Sequence, residues 1–167
     1  RFFRGARIQS WFAGVDAQFV DGIGGDRQTE VLVYRLSEIE TSSRHKAHVR
    51  YLQNKEVVQR PFTLYSEPGR QYTVQPGDYA FDQAEFSVTT PGPLPFSGGV
   101  TATVGDLYDG KRPGIASTFN WNQSRYFRLG LTHDWNSIRL PQGDFITRLS
   151  TLTTQTATGA TNNSATL

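Results

Sequence analysis

The sequence predicts an all-β fold: an antiparallel meander of about eight strands that forms a transmembrane β-barrel or part of a larger one. Three observations predict it. Apolar and polar residues alternate over most of the 167 positions, whereas helical periodicity is hard to find. Charged residues are only 19% of the chain while aromatics reach 13%, and aromatics and threonine favour strands. The segments between alternating runs are longer on one side of the meander than on the other, the layout of an outer-membrane barrel.

The first run, 5–21, sets Trp11, Ala13, Val15, Ala17 and Phe19 against Ser10, Phe12, Gly14, Asp16 and Gln18. In the second, 29–40, Leu32, Tyr34 and Leu36 are less clean, because Val31 and Val33 oppose them. In the third, 45–57, Ala47, Val49 and Tyr51 oppose His48, Arg50 and Leu52. The fourth, 79–89, changes phase near Asp82 and Gln83, which predicts a bulge. The fifth, 97–108, opposes Val100, Ala102 and Val104 to Thr101, Thr103 and Gly105. The sixth, 113–121, opposes Ile115, Phe119 and Trp121 to Ala116, Thr118 and Asn120, with Ser117 as a polar exception. The seventh, 125–135, has Arg125, Phe127, Leu129, Leu131, His133 and Trp135 on a mostly apolar face and Tyr126, Arg128, Gly130, Thr132 and Asp134 on a mostly polar or small one. The eighth, 144–155, is ambiguous in phase.

If connections alternate sides, one rim carries 22–28, 58–78, 109–112 and 136–143, and the other carries 41–44, 90–96 and 122–124. Aromatics fall at strand ends. Phe127 and Trp135 are eight residues apart, about 26 Å along a strand, and a tilt of about 40° brings this close to the height of a barrel's apolar band. Trp11, Phe19, Tyr108, Trp121, Phe127 and Trp135 are the expected girdle residues. Asp16, Arg35, Arg50, Arg128, Asp134 and Arg148 are expected on the inner face, either selecting solutes by charge or filling the barrel as an ion-paired network.

Several classes of function drop out. The chain has no cysteine, which removes disulfides, thiolate metal sites and cysteine nucleophiles. A net charge of +2 is too small to argue for nucleic acid. His45 and His48, three apart in a strand, would point to opposite faces, so a metal site from that pair is not expected. No serine elbow or paired histidines suggest a hydrolase, and neither catalysis nor a cofactor is expected. GIGG (22–25) lacks the strand–helix context of a phosphate cradle and reads as a hairpin tip. The loop 58–78 carries Arg60, Phe62, Tyr65, Arg70 and Tyr72, aromatics beside hydrogen-bonding groups that can stack on sugar rings. Residues 1–155 read as the barrel sheet and 156–167 as a disordered polar tail. A threonine-, glycine- and serine-rich inner face would underfill an eight-stranded barrel, which fits a portion of a larger one.

Three stretches carry a resemblance: GRQYTVQPGDYAFDQAEFSV (69–88), GDLYDGKRPGIASTFNW (105–121) and HDWNSIRLPQGDFITRLSTLTT (133–154). They look like the C-terminal barrel, a domain of unknown function, of large bacterial surface proteins that carry an N-terminal family-9-like carbohydrate-binding domain. The resemblance is clearest over 69–154. It implies an outer-membrane location in a Gram-negative bacterium, and a chain that lacks the carbohydrate-binding domain and the last barrel strands. It further implies a role as membrane anchor or pore linked to saccharide binding or uptake. The partners so implied are outer-membrane lipid, saccharide and other outer-membrane proteins. The alternative is a soluble β-sandwich carbohydrate-binding module with Tyr65, Tyr72 and Trp135 as a sugar platform. It expects the apolar faces of 115–121 and 127–135 to be buried inside.

Overall fold

A computed structural model describes residues 7–22, 27–124, 127–141, 143–156 and 159–166. These residues form an all-β antiparallel meander with no helix among them. The long strands are β1 (Ile8–Asp21), β2 (Arg27–Thr41) and β3 (Lys46–Val58). A separate hairpin follows, β4 (Phe62–Glu67) and β5 (Arg70–Val74). The sheet resumes with β6 (Gly77–Thr89), β7 (Phe96–Leu107), the two-residue β8 (Gly110–Lys111) and β9 (Gly114–Ser124). It ends with β10 (Phe127–Leu140), β11 (Gly143–Thr156) and β12 (Gly159–Thr166). Each long strand pairs with its neighbours in chain order, except that β6 follows β3 and β8 is wedged between β7 and β10.

All eight expected strands are present. Three expectations about them change. The tail was expected to be disordered, yet Gly159–Thr166 pairs with β11 from Leu149 to Thr156. The free backbone edge of β11 supplies a ladder that this segment of small and polar residues fills, although its composition does not favour a strand. The bulge expected at Asp82 and Gln83 is absent, because β3 and β6 keep one register from Lys46↔Thr89 to Val58↔Gly77. The extra residue lies in β2 instead, where both neighbouring ladders shift between Arg35 and Glu38, leaving Leu36 out of step and exposed. That bulge explains the unclean alternation of β2. Finally, 136–143 is not a loop. Strand β10 continues to Leu140, which pairs with Gly143, the first residue of β11, so LPQGDF spans a tight connection. The turn at Tyr108 and Asp109 is equally tight. The rim asymmetry therefore reduces to one long connection, the one holding β4 and β5.

Glycines set the closest approaches. A Cβ on Gly98 would stand 2.1 Å from the Thr118 carbonyl oxygen, and one on Gly110 would stand 2.2 Å from that of Arg139. Asn122 fastens the 90–95 turn by donating from Nδ2 to the carbonyls of Gly92 (2.9 Å) and Leu94 (2.8 Å).

Register sorts every sheet residue onto one of two faces. One row runs Trp11–Ile39–Ala47–Val88–Val100–Ser117–His133–Ser150. Ala47 is the second residue of β3, but Ser117 lies seven residues (124−117) before the end of β9, although both strand ends meet the same rim. Strands are thus staggered against the line of turns, the shear that goes with tilted, curling sheets. Among the described residues β1 pairs only with β2, and β12 only with β11, so the sheet is open. Those two edge strands run in the same direction, and closing the sheet in antiparallel fashion takes a further strand between them.

Candidate functional site

The two faces differ in chemistry. One face carries Trp11, Val15, Ala17 and Phe19, then Tyr34, Val49, Phe86, Val100, Val104, Ile115, Phe119, Leu131 and Ile146. It is apolar and uncovered: Val15 is 62% exposed, Phe86 50%, Ile115 45%, Phe119 44% and Leu131 43%. At the rim of the 90–95 turn, the rings of Phe96 and Trp121 lie nearly parallel 6.2 Å apart, and Phe127 meets Trp121 edge-on at 6.0 Å. His133 interrupts this face, with Nδ1 2.8 Å from Ser150 Oγ.

The opposite face is polar and ordered by charge. Arg35 pairs with Asp16 through Nε and lies 3.5 Å from Glu38. Glu38 also accepts from Arg50 Nε at 2.9 Å. Arg50 reaches Glu85 at 3.7 Å, and His48 Nε2 stands 2.8 Å from the same carboxylate. The ladder crosses β1, β2, β3 and β6, then passes to uncharged groups at Ser87 and Thr101, whose hydroxyls are 2.9 Å apart. From β7 to β11 this face is mostly threonine, asparagine and small residues (Thr103, Thr118, Asn120, Gly130, Thr132, Thr151 and Thr153), with Arg128 and Asp134 as its charges on β10. Each carboxylate of the ladder faces at least one basic side chain: Asp16 faces Arg35, Glu38 faces Arg35 and Arg50, and Glu85 faces Arg50 and His48. Half-buried ion pairs of this kind align strands more than they stabilise them.

Of the six expected inner charges, Asp16, Arg35, Arg50, Arg128 and Asp134 share the polar face. Arg148 does not. It stands directly across from Trp135 on the apolar face, because the pairing of Leu140 with Gly143 fixes the parity of β11. Among the expected girdle residues, Trp11 and Phe19 are exposed on the apolar face, and Trp121, Phe127 and Trp135 lie on it near the rims. Trp11 also donates from Nε1 to Ser37 Oγ at 3.0 Å. Tyr108 is different. Its ring turns to the polar side, 5.2 Å from Tyr79, 5.4 Å from Phe81 and 5.8 Å from Phe62.

Tyr108 belongs to the one hydrophobic core among the described residues, which sits under the β4–β5 hairpin. Val74 is fully buried, Tyr72 is 5% exposed, and Val58, Ile138 and Leu140 complete the centre, packed by Leu64, Tyr79, Leu107 and Phe145. The phase change seen near Asp82 marks the place where the polar face becomes this core: Tyr79 and Phe81 face the hairpin, whereas Gln83 and Glu85 do not. Tyr72 is therefore packed away from a ligand, because hairpin formation carries it against the sheet. Arg60 and Phe62 remain exposed, and the side chains of Tyr65 and Arg70 lie outside those described. Of GIGG, residues 23–25 also lie outside the described residues. The signal for the hairpin was present in the sequence: Pro68-Gly69 between two alternating pairs, Phe62/Leu64 and Tyr72/Val74, with Gly69 at φ +80°.

Burial and the hydrogen bond that Tyr108 donates to Glu56 (3.0 Å) push its phenol up to about 12, and burial raises Tyr72 as well. A phenol whose pKa is raised by folding stabilises the fold fully below its unfolded value. That contribution is lost as pH rises through the folded value. The hairpin should thus loosen between about pH 10 and 12. Ultraviolet titration of phenolate should show a late component that Tyr108→Phe removes; an unchanged late component would refute the assignment.

Compared with known protein families, curated proteins and solved structures, the chain matches none.

Proposed function

We propose that this chain is a wall of an outer-membrane β-barrel, acting as membrane anchor or pore. The observation that carries the reading is the uncovered apolar face spanning β1 to β10. A contiguous surface of exposed Trp, Phe, Val, Ile and Leu this wide is unstable in water and fits lipid hydrocarbon. Three further features support it. The charged ladder sits on the opposite face; strands β1 to β3, β6, β10 and β11, of 13 to 15 residues, exceed the 9–11 that a bilayer needs; and the register carries shear. In this reading Arg35, Arg50, Asp16 and Glu38 line the lumen. The hairpin narrows one mouth, and Trp11, Trp121, Phe127 and Trp135 rest at the interfaces. A link to saccharide handling follows from the sequence resemblance alone. The soluble sandwich reading requires a second layer over Ile115, Phe119 and Leu131, and among the described residues none lies there.

Size-exclusion chromatography of the purified chain, with and without detergent, tests the proposal. Monodisperse behaviour only in detergent or lipid is expected. A folded monomer in plain buffer would sink it.

A further inference from the structure

At the hairpin-bearing rim of the apolar face, β8 lies so close against β10 that only glycine fits at 110. This brings Lys111 directly across from Arg139. The row continues outward to Asp106 beside Lys111 and to Asp144 beside Arg139. Like charges directly opposite on neighbouring strands repel. The flanking carboxylates offset part of this repulsion, but no ion pair within 4.0 Å forms along the row among the described residues, so both cations keep free donors. Both cations are exposed, and both line a recess of about 490 Å³ together with Tyr108, Leu140 and the carboxylates Asp106 and Asp109. The recess opens where the apolar face ends, four residues (139−135) beyond Trp135, and Arg148 adds a third cation across from that tryptophan.

We propose that Lys111 and Arg139 form a binding site for one phosphate monoester, supplied by a lipid headgroup at the membrane surface. The inference rests on the membrane reading above. Arginine offers a planar fork and lysine a point charge, and a dianion placed between them replaces a repulsive pair with two charge-assisted contacts. Asp106 and Asp144 confine the positive field to the centre of the row, so the site takes a single phosphate rather than an extended polyanion. The acyl chains of such a lipid would descend along Ile115, Trp135 and Ile146.

The test uses the full chain folded in a neutral detergent. Short-chain phosphatidic acid is titrated in, and binding is read from the phosphorus NMR linewidth. Lys111→Gln and Arg139→Gln should each weaken binding about fivefold. Asp144→Asn should tighten it, and Lys46→Gln, at the opposite rim, should leave it unchanged. Equal loss in all three charge-removing variants would mean diffuse attraction and overturn the site. Inorganic phosphate that competes at the same concentration as the lipid would overturn the headgroup source. A chain that needs no detergent sinks the membrane reading. A chain that needs detergent but ignores phosphatidic acid sinks this proposal alone.

Discussion

Leu131→Arg is expected to cost about 2–4 kcal/mol of stability in lipid, the price of arginine near a bilayer midplane. Thr132→Arg, one residue away, is expected to cost little. The two positions differ only in face. Leu131 lies between Phe119 and Leu152 on the apolar side, and Thr132 between Thr118 and Thr151 on the polar side. Both are exposed, so neither change removes packing of a buried residue. A water-exposed sheet would treat them alike, since surface substitutions usually stay within about 0.5 kcal/mol. Reversible urea unfolding of each variant in the same vesicles gives the comparison. A difference of about thirtyfold or more in the folding constant, against Leu131→Arg, fits lipid on that face. Equal stabilities would remove the lipid contact and the proposed function with it.

The strands were legible because their signal is local. Alternation at Val100, Ala102 and Val104, or at Phe127 to Trp135, needs only the residues of one strand. The faces were legible only where the turns were. Most of the loop expected at 136–143 proved to be strand, with Leu140 paired to Gly143, and that decided on which side Arg148 lies. A one-residue change in register inverts a strand's faces, so turn length carries as much information as the strand itself. The ladder from Asp16 to His48 was half legible. Asp16, Arg35 and Arg50 were assigned to the inner face, but Glu38 and Glu85, which join them, depend on the bulge in β2 and on the β3–β6 register. Tyr72 and Tyr108 were read by type, as aromatics suited to a sugar or an interface. Their burial depends on a hairpin folding back over the sheet, a tertiary event that alternation does not encode.

That hairpin gives the second large effect. Val74 is fully buried and joins β5 to Val58 on β3 and to Ile138 and Leu140 on β10. Val74→Asp places an unpaired carboxylate there, and burying such a charge is costlier than letting the hairpin leave. The ladders of β3, β6 and β10 do not involve the hairpin, so the sheet should remain while β4 and β5 detach. Val74→Ala removes two methyl groups and should weaken docking by about 2 kcal/mol, roughly a thirtyfold rise in the open population. Trypsin cleavage after Arg70 reads that population directly, with circular dichroism reporting the sheet. Faster cleavage with an unchanged strand signal is the expected pair of results. In planar bilayers the same substitution should raise conductance, because the hairpin lies over the polar face at one mouth. Rapid cleavage without a change in conductance would leave the hairpin as a surface ornament and move the constriction to the charged ladder. Loss of the whole sheet would instead make the core under the hairpin the centre of the fold's stability.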